Sequence, residues 1–154
     1  MKDILTDLKI VHALAAVDIT DHTDEGVNYV DLAGYEGAIA MVNFGAVTNV
    51  DASNKVIPVL QHCDSAPATN ASWAAVDAAD IVGSTFAAVL SATTDDLTQV
   101  AGYIGSKRYL RVVLDFTSAG TNPDHCPVSV NYILGCARHG AANASTPTTG
   151  TSTA

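Results

Sequence analysis

Apolar and polar residues alternate with a period of two along much of this chain. In residues 109–116, Leu110, Val112, Leu114 and Phe116 fall on one side, and Tyr109, Arg111, Val113 and Asp115 on the other. Successive side chains of a strand face opposite ways, so this spacing predicts a β-strand with one buried face. Val128, Val130, Tyr132, Leu134 and Cys136 alternate in the same manner with Ser129, Asn131 and Ile133, which predicts a second strong strand. The two strands are expected to pair antiparallel across the loop at 118–127. Gly105-Ser106 is turn chemistry and predicts a strand-turn-strand unit with residues 97–103. Leu110, Val112, Leu114, Phe116, Val130, Tyr132 and Leu134 form the predicted core, together with Trp73, whose large area suits an anchor between sheets.

Shorter elements fill the rest. Residues 8–17 are apolar and partly β-branched, and fit a first strand or a short helix preceded by Thr6. Residues 18–26 read as an acidic loop, 27–32 as a strand, and Gly34-Tyr35-Glu36-Gly37 as a turn. Residues 38–44 make a nearly continuous apolar strand ended by Gly45, and 47–54 a polar turn region. Residues 56–63 form a strand whose Pro58 demands a sheet edge or a bulge, because proline donates no ladder hydrogen bond. The Ala-rich stretch 74–94 fits a short turn around Ile81-Val82-Gly83 followed by a strand over 86–90. Seven or eight short strands with few convincing helices predict an all-β fold, an antiparallel sandwich or jelly roll. Residues 1–17 are its N-terminal arm or first strand, 18–140 the sandwich, and 141–154 a flexible tail of small and polar residues.

Composition narrows the function classes. Among 154 residues, 48% are hydrophobic and only 15% charged, against about 25% in a typical soluble domain. A surface of small, weakly hydrated side chains suits packing against a partner. The net charge of −9 argues against nucleic acid, which needs Lys and Arg for its phosphates, and against anionic lipid. Lys107, Arg108 and Arg111 are the local exception. No apolar run reaches the ~20 residues that cross a bilayer. Asp7 and Lys9 interrupt the run after Met1-Lys2-Asp3, so no signal-peptide core is expected. Three cysteines, an odd number, fit a reducing compartment better than a disulfide framework.

Candidate chemistry is sparse. His62-Cys63, His125-Cys126 and Cys136-x-x-His139 offer thiolate and imidazole for zinc. Neighbours on a strand face opposite sides, however, so each adjacent pair can hardly give both ligands to one ion. Asp18, Asp21, Asp24 and Glu25 offer oxygens to calcium but lack the Asp-x-Asp-x-Asp-Gly loop, so a solvated acidic loop is the reading. No Gly-x-Ser-x-Gly or Walker-type loop is present, and the five His have no recognisable nucleophile partner. The expectation is a non-enzymatic protein with no cofactor and no bound metal.

Several blocks resemble a family of tailed-phage virion structural proteins. They are Asp31-Leu32-Ala33-Gly34-Tyr35-Glu36-Gly37-Ala38; Leu60-Gln61-His62-Cys63-Asp64 leading to Trp73-Ala74-Ala75-Val76; the run 102–111; and 128–139, ending Gly135-Cys136-Ala137-Arg138-His139. The resemblance covers about residues 8–140 and departs from the family's Asp-Gly turn at 65–70. It implies a small β-sandwich among the head and tail proteins, including capsid decoration or cement proteins on the outside of the head. On that footing the expected partners are the major capsid protein and copies of the chain itself, and the expected location is the virion exterior after assembly in the host cytoplasm. Leu5, Leu8 and Ile10 would contact a neighbour from an N-terminal arm, and Lys107, Arg108 and Arg111 would meet an acidic partner surface. A neck or tail protein, or a glycan-binding module using Trp73, are the alternatives.

Overall fold

The computed structural model describes residues 8–19, 25–26, 28–65, 73–90, 97–118 and 125–137. Ten strand segments occur among them: β1 Lys9–Asp18, β2 Glu25–Gly26, β3 Val30–Asp31, β4 Tyr35–Phe44, β5 Asn54–Cys63, β6 Ala74–Ala75, β7 Ile81–Gly83, β8 Leu97–Tyr103, β9 Tyr109–Ser118 and β10 Pro127–Ala137. A three-residue 3-10 turn, Ala78–Asp80, is their sole helical element. The first sheet has the order β1-β10-β4-β8-β7 and the second β2-β9-β5-β6, with β3 also on β9. All pairings are antiparallel. The chain is an all-β sandwich of jelly-roll type, in which most consecutive strands alternate between the two sheets.

That alternation corrects the expected hairpin. β9 and β10 do not pair; they lie in opposite sheets, β9 against β5 and β10 between β1 and β4. Each has one fully apolar face, and the two faces meet across the sandwich. Leu110, Val112, Leu114, Val130, Tyr132 and Leu134 are all fully buried, and Phe116 nearly so. The turn at Gly105-Ser106 likewise carries the chain from β8 in one sheet to β9 in the other. It passes so closely over the Tyr103 ring that a β-carbon at Gly105 would sit 2.6 Å from it, so only glycine fits.

Other expectations shift in smaller ways. Residues 9–18 are a strand, paired along β10, so the helix alternative is excluded and only residues before Lys9 remain for an arm. Of the strand expected at 27–32, the described residues 28–32 hold the strand Val30–Asp31, and the turn at 34–37 contracts to Ala33-Gly34, because Tyr35 already belongs to β4. Ile81–Gly83, expected as a turn, is an edge strand. The strand over 86–90 reduces to a single bridge between Val89 and Val56. Val56 exchanges both backbone hydrogen bonds with Val89, and the Leu60 carbonyl accepts one from Val76. Pro58, two residues from each, faces the same side of β5, which β6 covers only at Gln61 and His62. The missing donor therefore falls where no strand asks for it.

Trp73 is not in the core. It lies half-buried on the outer side of the second sheet, where the Arg111 guanidinium carbon stands 4.5 Å from its ring centroid and the Tyr29 ring 6.1 Å away. Arg111 points outward from β9 and is covered there, and Trp73 supplies the cover. Two tyrosines of the first sheet take the bridging role instead. Tyr103 Oη lies 3.1 Å from His62 Nδ1 on β5 and accepts the Lys107 N–H at 3.0 Å. Tyr132 Oη accepts the Val112 N–H at 2.8 Å. Burial holds both phenols above their ordinary range, so they stay neutral.

Tyr132→Phe removes one acceptor and leaves a buried N–H unpaired. The expected loss is about 1–3 kcal/mol in denaturant unfolding, with the Val112 amide losing hydrogen-exchange protection before its β9 neighbours. An unchanged midpoint and unchanged protection would show that the bridge contributes nothing.

Candidate functional site: the outer face of the first sheet

The register of the first sheet lines up its outward positions in rows. One row crosses all five strands: Ile10, Ile133, Ile39, Gly102 and Val82 are successive cross-strand partners. Ile10 is 73% exposed, Val82 54% and Ile39 40%. The next row runs His12, Asn131, Met41 and Val100, and the one beyond it Ser129, Asn43 and Thr98. At the other end Gly135 pairs with Gly37, flanked by Leu8 and Ile104. Their inward neighbours on the same strands, such as Ala40, Val42, Val130 and Tyr132, fill the core. These strands are therefore apolar on both faces over half their length, which a solvated sheet does not need.

None of the outward positions in these rows is Asp, Glu, Lys or Arg, in a chain of net charge −9. The apolar end carries a groove of about 530 Å³, floored by Gly37, Gly102 and Gly135 and walled by Leu8, Ile39, Val82, Ile104 and Ile133. Glu36, the exposed second residue of β4, also lines it and brings one carboxylate to this end. At Gly37 a β-carbon would come within 2.9 Å of the Tyr103 carbonyl oxygen, so the floor is low because the backbones are close. Side chains at the polar end bond one another across strands. His12 Nδ1 lies 2.6 Å from Asn131 Oδ1, Thr98 donates to Asn43 Oδ1 at 3.0 Å, and Asn43 donates to Ser129 at 3.4 Å. Part of this half's hydrogen-bonding capacity is thereby met within the face itself.

The residues expected to meet a partner divide between two places. Leu8 and Ile10 do belong to this face, but as part of sheet strand and groove wall rather than as a free arm. Leu5 lies outside the described residues. The basic cluster is broken up by intramolecular partners. Lys107 pairs with Asp64. Arg108 holds Asp31 through both Nε and Nη2, at 3.0 and 2.8 Å, and stacks over Tyr109. Arg111, expected on an exposed patch, is 5% exposed, donates from Nε to Gln61 at 2.9 Å, and lies beneath Trp73. Its desolvation draws the guanidinium below its ordinary range, though never near neutrality. A cleft of about 170 Å³ opens between the Ala33-Gly34 turn and Lys107-Arg108, but its two cations already face carboxylates.

The metal candidates among the described residues do not converge. Among the described residues no three His, Cys, Asp or Glu side chains gather as a ligand set. His62 faces Tyr103; His125 Nδ1 meets Asp18 at 2.7 Å; and Asp18 also accepts the Cys126 N–H. The Cys126 thiol is pushed up to about 12 by burial, which suits a small core residue rather than a ligand. Asp21, Asp24 and His139 lie outside the described residues.

What the sequence reading missed was this face. Its signal was present: the outward positions of β4 and β8 read Ile39, Met41 and Val100 where an exposed strand would carry charge. Compared with known proteins, the chain matches no family model, and no curated protein matches it.

The Asp31–Arg108 clamp gives a pH test. Burial pushes the Asp31 carboxyl up, but the hydrogen bonds from Arg108 and the Ala33 N–H outweigh it, leaving the carboxyl below its usual range. A depressed folded pKa stabilises the protein above the unfolded value of about 3.9, and that contribution fades as pH falls through the folded value. Asp31→Asn should therefore be less stable than wild type at neutral pH, with the gap closing below about pH 4. A gap that stays constant down to acid pH would remove the carboxylate's charge from the explanation.

Proposed function

We propose that this protein is a non-enzymatic structural protein of a tailed-phage particle, of the capsid decoration or cement kind, working by adhesion. The observation that carries this reading is the outer face of the first sheet. An acidic chain that keeps the central cross-strand rows of one sheet free of Asp, Glu, Lys and Arg, and apolar over half that length, has a surface suited to burial against protein. The jelly-roll sandwich and the resemblance of residues 8–140 to virion proteins point the same way. The rest of the surface, acidic and rich in small residues, keeps the assembled protein soluble. On a particle the protein would tie neighbouring major capsid protein subunits together, alone or with further copies of itself.

A glycan-binding reading has one specific observation in its favour, the position of Trp73 beside Tyr29 at the surface rather than in the core. Arg111 already occupies one face of that ring, which leaves less of it for a sugar. Adhesion through the first sheet is the better supported reading.

The test uses particles assembled without this chain, to which purified protein is added back. Wild type should occupy the head exterior in cryo-EM density and raise the temperature at which DNA escapes. Ile39→Asp places a charge in the face and should lower occupancy by roughly a hundredfold or more, the scale of a lost multivalent contact. Density confined to neck or tail would move the protein to those sites, and bare particles would overturn the virion reading.

A further inference from the structure

We infer that residues 1–7 of this chain fold back over its own first sheet and seat Leu5 and Ile4 in the glycine-floored groove of about 530 Å³. These residues lie outside the described ones, and the inference goes beyond the adhesive reading without needing it. Three observations select this occupant.

The first is the point of entry. Leu8 is the described residue next to the segment, and it already forms one wall of the groove. Its side chain reaches over the neighbouring strand, where a β-carbon at Gly135 would meet Leu8 Cδ2 at 3.5 Å. Gly135 and Gly37 are cross-strand partners, so two successive strands offer no side chain between Leu8 and Ile104. The trough therefore begins where residues 1–7 join the sheet.

The second is reach. Strands lie about 4.8 Å apart, which puts β10 about 5 Å and β4 about 10 Å from β1. The three residues from Leu8 to Leu5 span at most about 10–11 Å when extended. A path bent at Thr6-Asp7, whose side chains favour turns, still sets Leu5 over this trough, with Ile4 one residue further toward Gly102. So short a tether holds the side chain at an effective concentration on the order of millimolar, which a second molecule in dilute solution does not match.

The third is the lack of a rival within the chain. Outside the described residues, the only Val, Ile, Leu, Met, Phe, Tyr or Trp are Met1, Ile4, Leu5 and Val27. Val27 lies between β2 and β3, which belong to the second sheet. Residues 138–154, which follow β10 at the same end of the sheet, hold none of these types. Lys2 and Asp3 precede the apolar pair and Asp7 follows it. Of these, Lys2 is opposite in sign to Glu36, the carboxylate that lines the groove. Seated this way, Leu5 and Ile4 take apolar surface from water and close the groove to unrelated apolar surfaces while the protein is free.

Methyl NMR on the full-length purified chain tests this. Nuclear Overhauser contacts should join the Leu5 and Ile4 methyl groups to the α-protons of Gly135, Gly37 and Gly102, and should persist on dilution. Their absence overturns the inference, and so does an isotope-filtered mixture that places them between two molecules. The double variant Ile4→Asp, Leu5→Asp should keep the circular dichroism of wild type and raise the emission of added Nile red severalfold, as the groove is uncovered. A folded variant with unchanged emission overturns the inference as well; should the variant unfold, the wild-type contacts decide alone. Both readings come from the purified chain, so they stand apart from whether particles take the protein up.

Discussion

β9 carries the longest continuous apolar face of the second sheet, yet its outer neighbour is interrupted. β2 pairs with it at Leu114 and Val113, and β3 at Leu110 and Tyr109, and between them the Val112 N–H needs an acceptor. The Tyr132 hydroxyl reaches over from β10 and takes it. Much else depends on that contact. It ties β9 to β10 across the sandwich, and β10 in turn pairs with both β1 and β4. Tyr103 does comparable work at one end, where its hydroxyl meets His62 and the Lys107 backbone while Gly105 lets the chain pass over its ring. A sandwich normally gains its cohesion from apolar area alone. Here two neutral phenols, fully buried, also fix which strands face each other.

With the inner faces so engaged, the two outer faces differ in kind. The second sheet's is covered locally and carries charge: Arg111 lies under Trp73, Gln61 holds its Nε, and Arg108 is clamped to Asp31 nearby. The basic residues that looked like a docking cluster are thus structural groups of one rim. The first sheet's outer face holds no such devices. Its glycines lower the floor, its isoleucines stand proud, and its polar residues bond among themselves. One outer face is thus covered by the chain's own side chains, and the other presents an exposed apolar row.

How far the sequence could be read depended on how local the cause was. The strands at 109–116 and 128–134 were legible because a buried face imposes period two on neighbouring positions, and neighbours are what a sequence displays. Pro58 announced an unpaired side of β5 for an equally local reason, its missing N–H. Trp73 misled because area argues for burial but does not say against what, and a guanidinium on β9, beyond β5 in the sheet, claimed it. Arg111 misled in the reverse sense, since nothing in its own strand shows that an aromatic ring will cover it.

By itself, then, the sequence determined the all-β class, the positions and inward faces of the main strands, and the acidic, charge-poor surface, because each follows from adjacent residues and composition. Only the tertiary structure decided which strands pair and which oppose. It set β9 and β10 in different sheets, brought Ile10, Ile133, Ile39, Gly102 and Val82 into one row, and dispersed the basic cluster into separate pairs. Those outcomes join residues far apart in the chain, and one strand's alternation is compatible with many partners. The choice among them is made by how all the apolar faces, backbone donors and charges are satisfied at once.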